Sequence, residues 1–359
     1  MVMSFTARVS WLVALSFLAF LAQDAHGRDK SAGPGSHTLA VTVNGLERTY
    51  LVHVPAAYKP QTPSAVVIML HGGGGTGRAA LWETGWADKS EKEGFLAVFP
   101  NAMARDPARP SHFSRNPQLW NDGSDRFYPG QKAPDDVRFI AALLDDLSAR
   151  FSVDERRIFV TGFSNGASMS FRVGAELSQR IAAIAPVAGA LWFDIPAVQP
   201  PVSLCYITGT ADPLNLIEGG VPKLATGASD KVRAKPKPPV RDSILKWARA
   251  IGCPVEPTAT TDANGVRTET YASGKDGAEA VYIAVEGLGH TWAGGRSILP
   301  EIMVGKTSNK INATEVIWEF FQKHAKSPDD KKASGSDAPT GVERSVPPKE
   351  SSVAEKTRD

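Results

Sequence analysis

The run Ser64–Leu70 (SAVVIML) is apolar at odd and even positions alike. A strand there has two faces to bury, as strands inside parallel sheets do. Phe95–Phe99, Arg157–Thr161, Ala183–Val187, Val202–Thr208 and Ala280–Val285 repeat the style. Between them the apolar positions shift to helical spacing. Asp135 or Asp136 caps a helix over Val137–Arg150, and others cover Ala167–Gln179, Asp242–Ile251 and Asn312–His324. Ahead of all these, His37–Val43 and Arg48–Val54 alternate around Asn44-Gly45 and predict a β-hairpin. The pattern as a whole predicts an α/β fold, with a mostly parallel central sheet, helices on both faces and an N-terminal β-hairpin.

Four stretches break the rhythm. Asn101–Gln131 is long and rich in Pro, Arg and Asn, the habit of lids and binding loops. Ala228–Pro239 (ASDKVRAKPKPP) reads as a solvated Lys/Pro excursion. Residues 327–359 are polar and charged almost throughout, which predicts a disordered tail. At the other end Arg8, the apolar run Trp11–Ala22 and Ala25-His26-Gly27 have the layout of a secretory signal. The run falls well short of the ~20 residues that span a bilayer, so no stable membrane anchor is expected. The expected organisation is a signal peptide over 1–27, a flexible segment over 28–36, a catalytic domain over 37–326 and the tail. The mature chain is expected outside the cell or in the periplasm.

Composition narrows the partners. Forty Lys and Arg face thirty-eight Asp and Glu, for a net charge of +2. With no basic stripe among aromatics, nucleic acid is not an expected partner. The oligomeric state is left open. The two cysteines, Cys205 and Cys253, are read as unpaired, Cys205 because it lies inside an apolar strand.

The chemistry centres on Gly162-Phe163-Ser164-Asn165-Gly166. The motif follows a buried strand and precedes a helix, the setting of a nucleophile elbow. A serine hydroxyl needs a neighbouring base. His290, in GLGHTWAGG, follows the last long strand among small residues that permit close approach. A carboxylate should orient its ring. Asp212, after Val202–Thr208, is the candidate, and Asp194 is the rival. His71-Gly72-Gly73-Gly74-Gly75 ends a strand with amides bare of side chains and supplies an oxyanion donor at Gly73, or Gly74, beside the N–H of Asn165. A phosphate cradle is the competing reading, but the GK[ST] ending is missing. Asp135-Asp136 suits a helix cap better than a metal site. No metal or organic cofactor is called for.

LHGGGG, LWND, DDVRFI, RIFVTGFSNGASM, AAIAPVAG, GTADPL and GLGHTWAGG, in that order, give the chain a resemblance to a family. It resembles the secreted α/β-hydrolase esterases grouped with polyhydroxybutyrate depolymerases and feruloyl esterases, carbohydrate-esterase family one, from about Thr49 to His324. The resemblance implies Ser164 as nucleophile, Asp212 as acid, His290 as base and Gly73 as first oxyanion donor. It implies an ester substrate: feruloyl or acetyl esters of polysaccharide, or polyhydroxyalkanoate-type oligoesters. The chain departs from the family where Tyr271-Ala272-Ser273-Gly274 lacks the cysteine expected opposite Cys253, and where Ala293 follows Trp292 in place of proline. Trp120, Asn121, Phe163 and Trp292 are expected to line the cleft, since aromatic walls suit both substrate types. Two other readings use the same residues: an acyltransferase with an alcohol acceptor, and a silent binding protein on the hydrolase fold.

Overall fold

The computed structural model describes residues 32–127, 133–195, 197–222 and 235–327. The signal region, nearly all of the polar C-terminal stretch and most of the Lys/Pro insert lie outside the described residues. Residues 32–326 fall within one compact unit.

A ten-stranded sheet runs through it. In chain order the strands are β1 (Gly35–Val43), β2 (Leu46–Val54), β3 (Ser64–Leu70), β4 (Leu96–Pro100), β5 (Val153–Phe163), β6 (Ala183–Val187), β7 (Ser203–Gly209), β8 (Ala259–Ala263), β9 (Val266–Tyr271) and β10 (Ala280–Val285). Their spatial order is β1-β2-β4-β3-β5-β6-β7-β10-β9-β8. From β4 to β10 every neighbouring pair is parallel, while β1-β2-β4 and β10-β9-β8 are antiparallel. The apolar runs are therefore the inner strands, and the hairpins occupy the two edges. β1 begins at Gly35, inside the segment expected to be flexible.

Alternate side chains feed two cores. Val66, Ile68 and Leu70 of β3 join the core covered by α3 (Asp136–Arg150), α4 (Asn165–Glu176) and α5 (Val240–Ala250). Val67 and Met69 face the opposite core, with Phe159 of β5. That side is covered by α1 (Gly77–Thr84), α2 (Trp86–Glu93) and α7 (Ala313–Lys323), while the single turn α6 (Glu301–Val304) lies between β10 and α7 in the chain. Asp135 caps α3 by accepting from the Arg138 N–H at 3.0 Å. Asp136 is buried against Arg48 at 2.7 Å.

The cysteines are both free and buried. Gly274 lies against Cys253, where a Cβ would come within 2.7 Å of Sγ. The segment is thus opposite Cys253, as the resemblance implies, but without a thiol. The end of the Lys/Pro insert is not a solvated excursion. Lys237 and Gly220 exchange both backbone hydrogen bonds at 2.9 Å, which brings Lys235–Pro239 back onto the domain.

Candidate active site

β3 and β5 are parallel neighbours with Leu70 opposite Gly162, so their C-terminal ends deliver His71-Gly72-Gly73 and Ser164 side by side. Ser164 turns from β5 into α4 with φ 55° and ψ −114°. A non-glycine residue so placed costs about 1–3 kcal/mol and persists only where its surroundings enforce it. Here the Ser164 N–H donates to Val187 O at 2.9 Å, and its carbonyl accepts from the Ser168 N–H at 3.1 Å. The flanking glycines are obligatory. A Cβ on Gly162 would stand 2.3 Å from Gly166 O, and one on Gly166 would stand 2.1 Å from Leu70 O.

His290 Nδ1 lies 2.8 Å from Asp212 Oδ2, with both residues buried. The carboxylate accepts, so the proton sits on Nδ1 and Nε2 is left for another partner. The other carboxylate oxygen accepts from the N–H groups of Leu214 at 2.8 Å and Asn215 at 2.7 Å. Asp212 thus makes an Asx turn and holds the histidine at once. Burial alone would raise its pKa, but the neighbouring His290 and these bonds outweigh burial and hold the carboxyl below its ordinary value. Asp194 is exposed and pairs with Lys246 at 2.7 Å. The His290 ring centroid lies 4.8 Å from that of Phe163, the residue before Ser164.

The glycine loop is stitched in place. Gly75 N–H donates to Gly72 O at 2.9 Å, and Gly74 N–H to Gln118 O at 2.8 Å. The neutral His71 ring donates from Nδ1 to Gly72 O at 2.7 Å and accepts the Ala102 N–H at Nε2 at 3.1 Å. Burial holds its pKa down, at about 4. With the Gly74 amide engaged, Gly72 and Gly73 are the loop residues against the elbow: a Cβ on Gly72 would lie 3.5 Å from Ser164 Cβ, and one on Gly73 would lie 3.6 Å from Asn165 Cβ.

The expected cleft walls need correction. Trp120 has no exposed surface. Its indole donates to His71 O at 2.9 Å, and its backbone exchanges bonds with the Asn165 side chain at 2.8 and 3.1 Å. Asn121 donates to Pro134 O at 3.0 Å from its side chain and to Asp136 at 2.7 Å from its N–H. Trp292 is buried and donates to Thr314 at 3.0 Å. Trp120 and Trp292 are thus buried, while Asn121 and Phe163 stay partly exposed, Phe163 beside His290. The cleft containing Ser164, about 400 Å³, is walled instead by Phe113, Leu119, Phe127 and Leu214, and by Arg126, Lys235 and Lys237. Sequence reading missed the three cations, because Arg126 is remote in the chain from Lys235 and Lys237 and the Lys/Pro composition of the insert pointed toward solvent.

Order of strands, an elbow after β5 and a buried Asp-His pair after β7 and β10 define the class: an α/β-hydrolase. Comparison with known proteins agrees. The family model described as phospholipase/carboxylesterase matches residues 54–213. The putative esterase NocK of Nocardia uniformis subsp. tsuyamanensis is 28% identical over 294 residues, 78% of this chain and 81% of that one. Feruloyl esterase B of Piromyces equi is 27% identical over 256 residues, and the match spans 69% of this chain but only 44% of the relative. Poly(3-hydroxyalkanoate) depolymerase C of Paucimonas lemoignei is 29% identical over 140 residues, 38% of this chain and 30% of that one. Among solved structures, a protein called pOPH superposes with TM-score 0.53 at 15% identity over 87% of this chain and 94% of that one. The chain has the α/β-hydrolase fold, is similar in sequence to esterases, and is a carboxylic ester hydrolase.

Proposed function

We propose that the chain is a secreted serine carboxylesterase working through an acyl-enzyme on Ser164. His290 Nε2 takes the Ser164 proton as Oγ attacks the ester carbonyl, then returns it to the leaving alcohol. Asp212 fixes the tautomer and stabilises the imidazolium. The N–H groups of Gly73 and Asn165 receive the oxyanion, each such donor being worth about 3–4 kcal/mol at the transition state. Water, activated by the same histidine, then releases the acyl group. Substrates are feruloyl or acetyl esters of polysaccharide, or polyhydroxyalkanoate-type oligoesters, the classes named among the relatives. Secretion rests on the signal-like N-terminus of the sequence.

The observation that carries this reading is the 2.8 Å His290–Asp212 bond, with the His290 ring against Phe163, the residue before a serine held at φ 55°. Its test is a set of substitutions assayed on a short-chain ester. Ser164→Ala and His290→Ala should each lower kcat by about 10⁴-fold or more, because the residues act as one unit. Asp212→Asn should cost about 10⁴-fold by favouring the wrong tautomer, and Asp194→Asn should cost nothing. Near wild-type turnover by Ser164→Ala would contradict the reading.

A further inference from the structure

The Ser164 cleft has an uneven charge. Arg126, Lys235 and Lys237 line it, and no Asp or Glu is among the described residues that do. The neighbouring carboxylates are already engaged. Asp122, buried below the cleft, accepts from Asn165 Nδ2 at 2.9 Å, from the Ser124 N–H at 3.0 Å and from Arg126 at 3.3 Å. Asp212 is held by His290 and two backbone amides.

Arg126 is paired with Asp122, and the other groups that position the three cations are neutral. The Arg126 guanidinium stacks over Trp192, 4.0 Å from the ring centroid, and over Phe127 at 4.8 Å. Its Nε is buried and finds no hydrogen-bond acceptor among the described residues. Lys235 Nζ donates to Ser124 O at 3.1 Å. Lys237 Nζ donates to Asn215 Oδ1 at 3.2 Å, and its backbone is pinned to Gly220. Desolvation, then the nearby Arg126, pushes Lys237 down to about 8, against the pull of Asp212 and Asp122. Such clustering of like charge in a half-enclosed space is unfavourable until an anion enters it.

We propose that this cleft selects esters carrying a free carboxylate, bound by Arg126, Lys235 and Lys237 while the ester carbonyl lies at Ser164. The inference rests on the serine-esterase reading and narrows its substrate class to acidic esters. The acid can belong to the acyl part, as in a half-ester of a dicarboxylic acid, or to the alcohol part, as in the carboxyl end of a hydroxyacid oligoester. Phe113, Leu119, Phe127 and Leu214 supply an apolar wall for the short chain joining ester and acid.

The test compares each acid with its uncharged primary amide. Monomethyl glutarate carries the acid on the acyl side, and 3-acetoxybutanoic acid carries it on the alcohol side. In at least one pair, kcat/KM for the acid should exceed that for the amide by about tenfold or more, the effect of one charge-assisted hydrogen bond. The arm that shows it identifies the side. The Lys235→Gln/Lys237→Gln double variant should bring the ratio near one, and defects common to both esters cancel in that ratio. Equal turnover of acid and amide in both pairs, or a preference that survives the double substitution, overturns the proposal. Calorimetric titration of Ser164→Ala with the same compounds reads the preference without turnover. If no ester were cleaved, the serine-esterase reading would fall. The titration would still decide: tighter binding of an acid supports the cationic site, and equal binding overturns it.

Discussion

Ser164 is strained because Gly162 and Gly166 let β5, α4 and the end of β3 approach more closely than any side chain would allow. The expected cost of disturbing that approach is large for a single methyl. In Gly166→Ala the new Cβ would sit 2.1 Å from a backbone carbonyl, Leu70 O, which cannot swing aside as a side chain does. We expect a loss of about 2 kcal/mol or more, seen as a lower midpoint in chemical denaturation, together with a fall in turnover. A variant as stable and active as wild type would show that the elbow tolerates separation from β3. This residue-scale logic was legible in the sequence, because two glycines around a serine at a strand-to-helix switch form a local signal. The roles of Trp120, Asn121 and Trp292 were not. An aromatic or amide side chain in a loop has the same local appearance whether it faces substrate or is buried beneath the elbow, and tertiary packing decides between them.

At the scale of elements, His71 joins three segments: its own position after β3, the glycine loop through Gly72 O, and the segment after β4 through the Ala102 N–H. It does so as a neutral ring. In the fold it takes a proton only near pH 4, whereas an unfolded histidine does so near about 6.5. Between these values the unfolded chain binds more protons. The stability that depends on neutral His71 is therefore complete above about pH 6.5, drains as the pH falls and levels off below about pH 4. Comparing wild type with His71→Asn isolates this contribution. The gap in unfolding free energy should narrow by up to about 3 kcal/mol between about pH 7 and pH 4. A constant gap would mean that the native ring takes up its proton over the same pH range as the unfolded one.

The buried strands and the long helices could be read from their apolar periodicity. The two-turn helices α1 and α2, separated only by Gly85, are too short to display a period. The β8–β9 edge hairpin escaped because all of β8 is exposed, leaving no buried face to reveal it.

Over the whole molecule, the hydrolase unit relies on packing on both faces of the sheet, with no disulfide between its cysteines. Cys205 is fully enclosed, and burial pushes its thiol up to about 12. A thiol reagent should modify neither cysteine in the native protein and both after denaturation, and a reductant should leave the melting temperature unchanged. Rapid native labelling, or a drop in melting temperature on reduction, would contradict this. The cleft belongs to the same scale. Arg126 follows the elbow-bracing Trp120-Asn121-Asp122, whereas Lys235 and Lys237 come from an insert that composition alone assigns to solvent. Only the folded chain brings them to one opening beside Ser164.

The central claim is that Ser164 is an activated nucleophile. It is tested most directly by treating the folded protein with a fluorophosphonate and mapping the adduct by peptide mass. A single adduct should form on the peptide containing Ser164, abolished in Ser164→Ala and much slowed in His290→Ala. A folded chain that takes up no label, or takes it on a different serine, would contradict it.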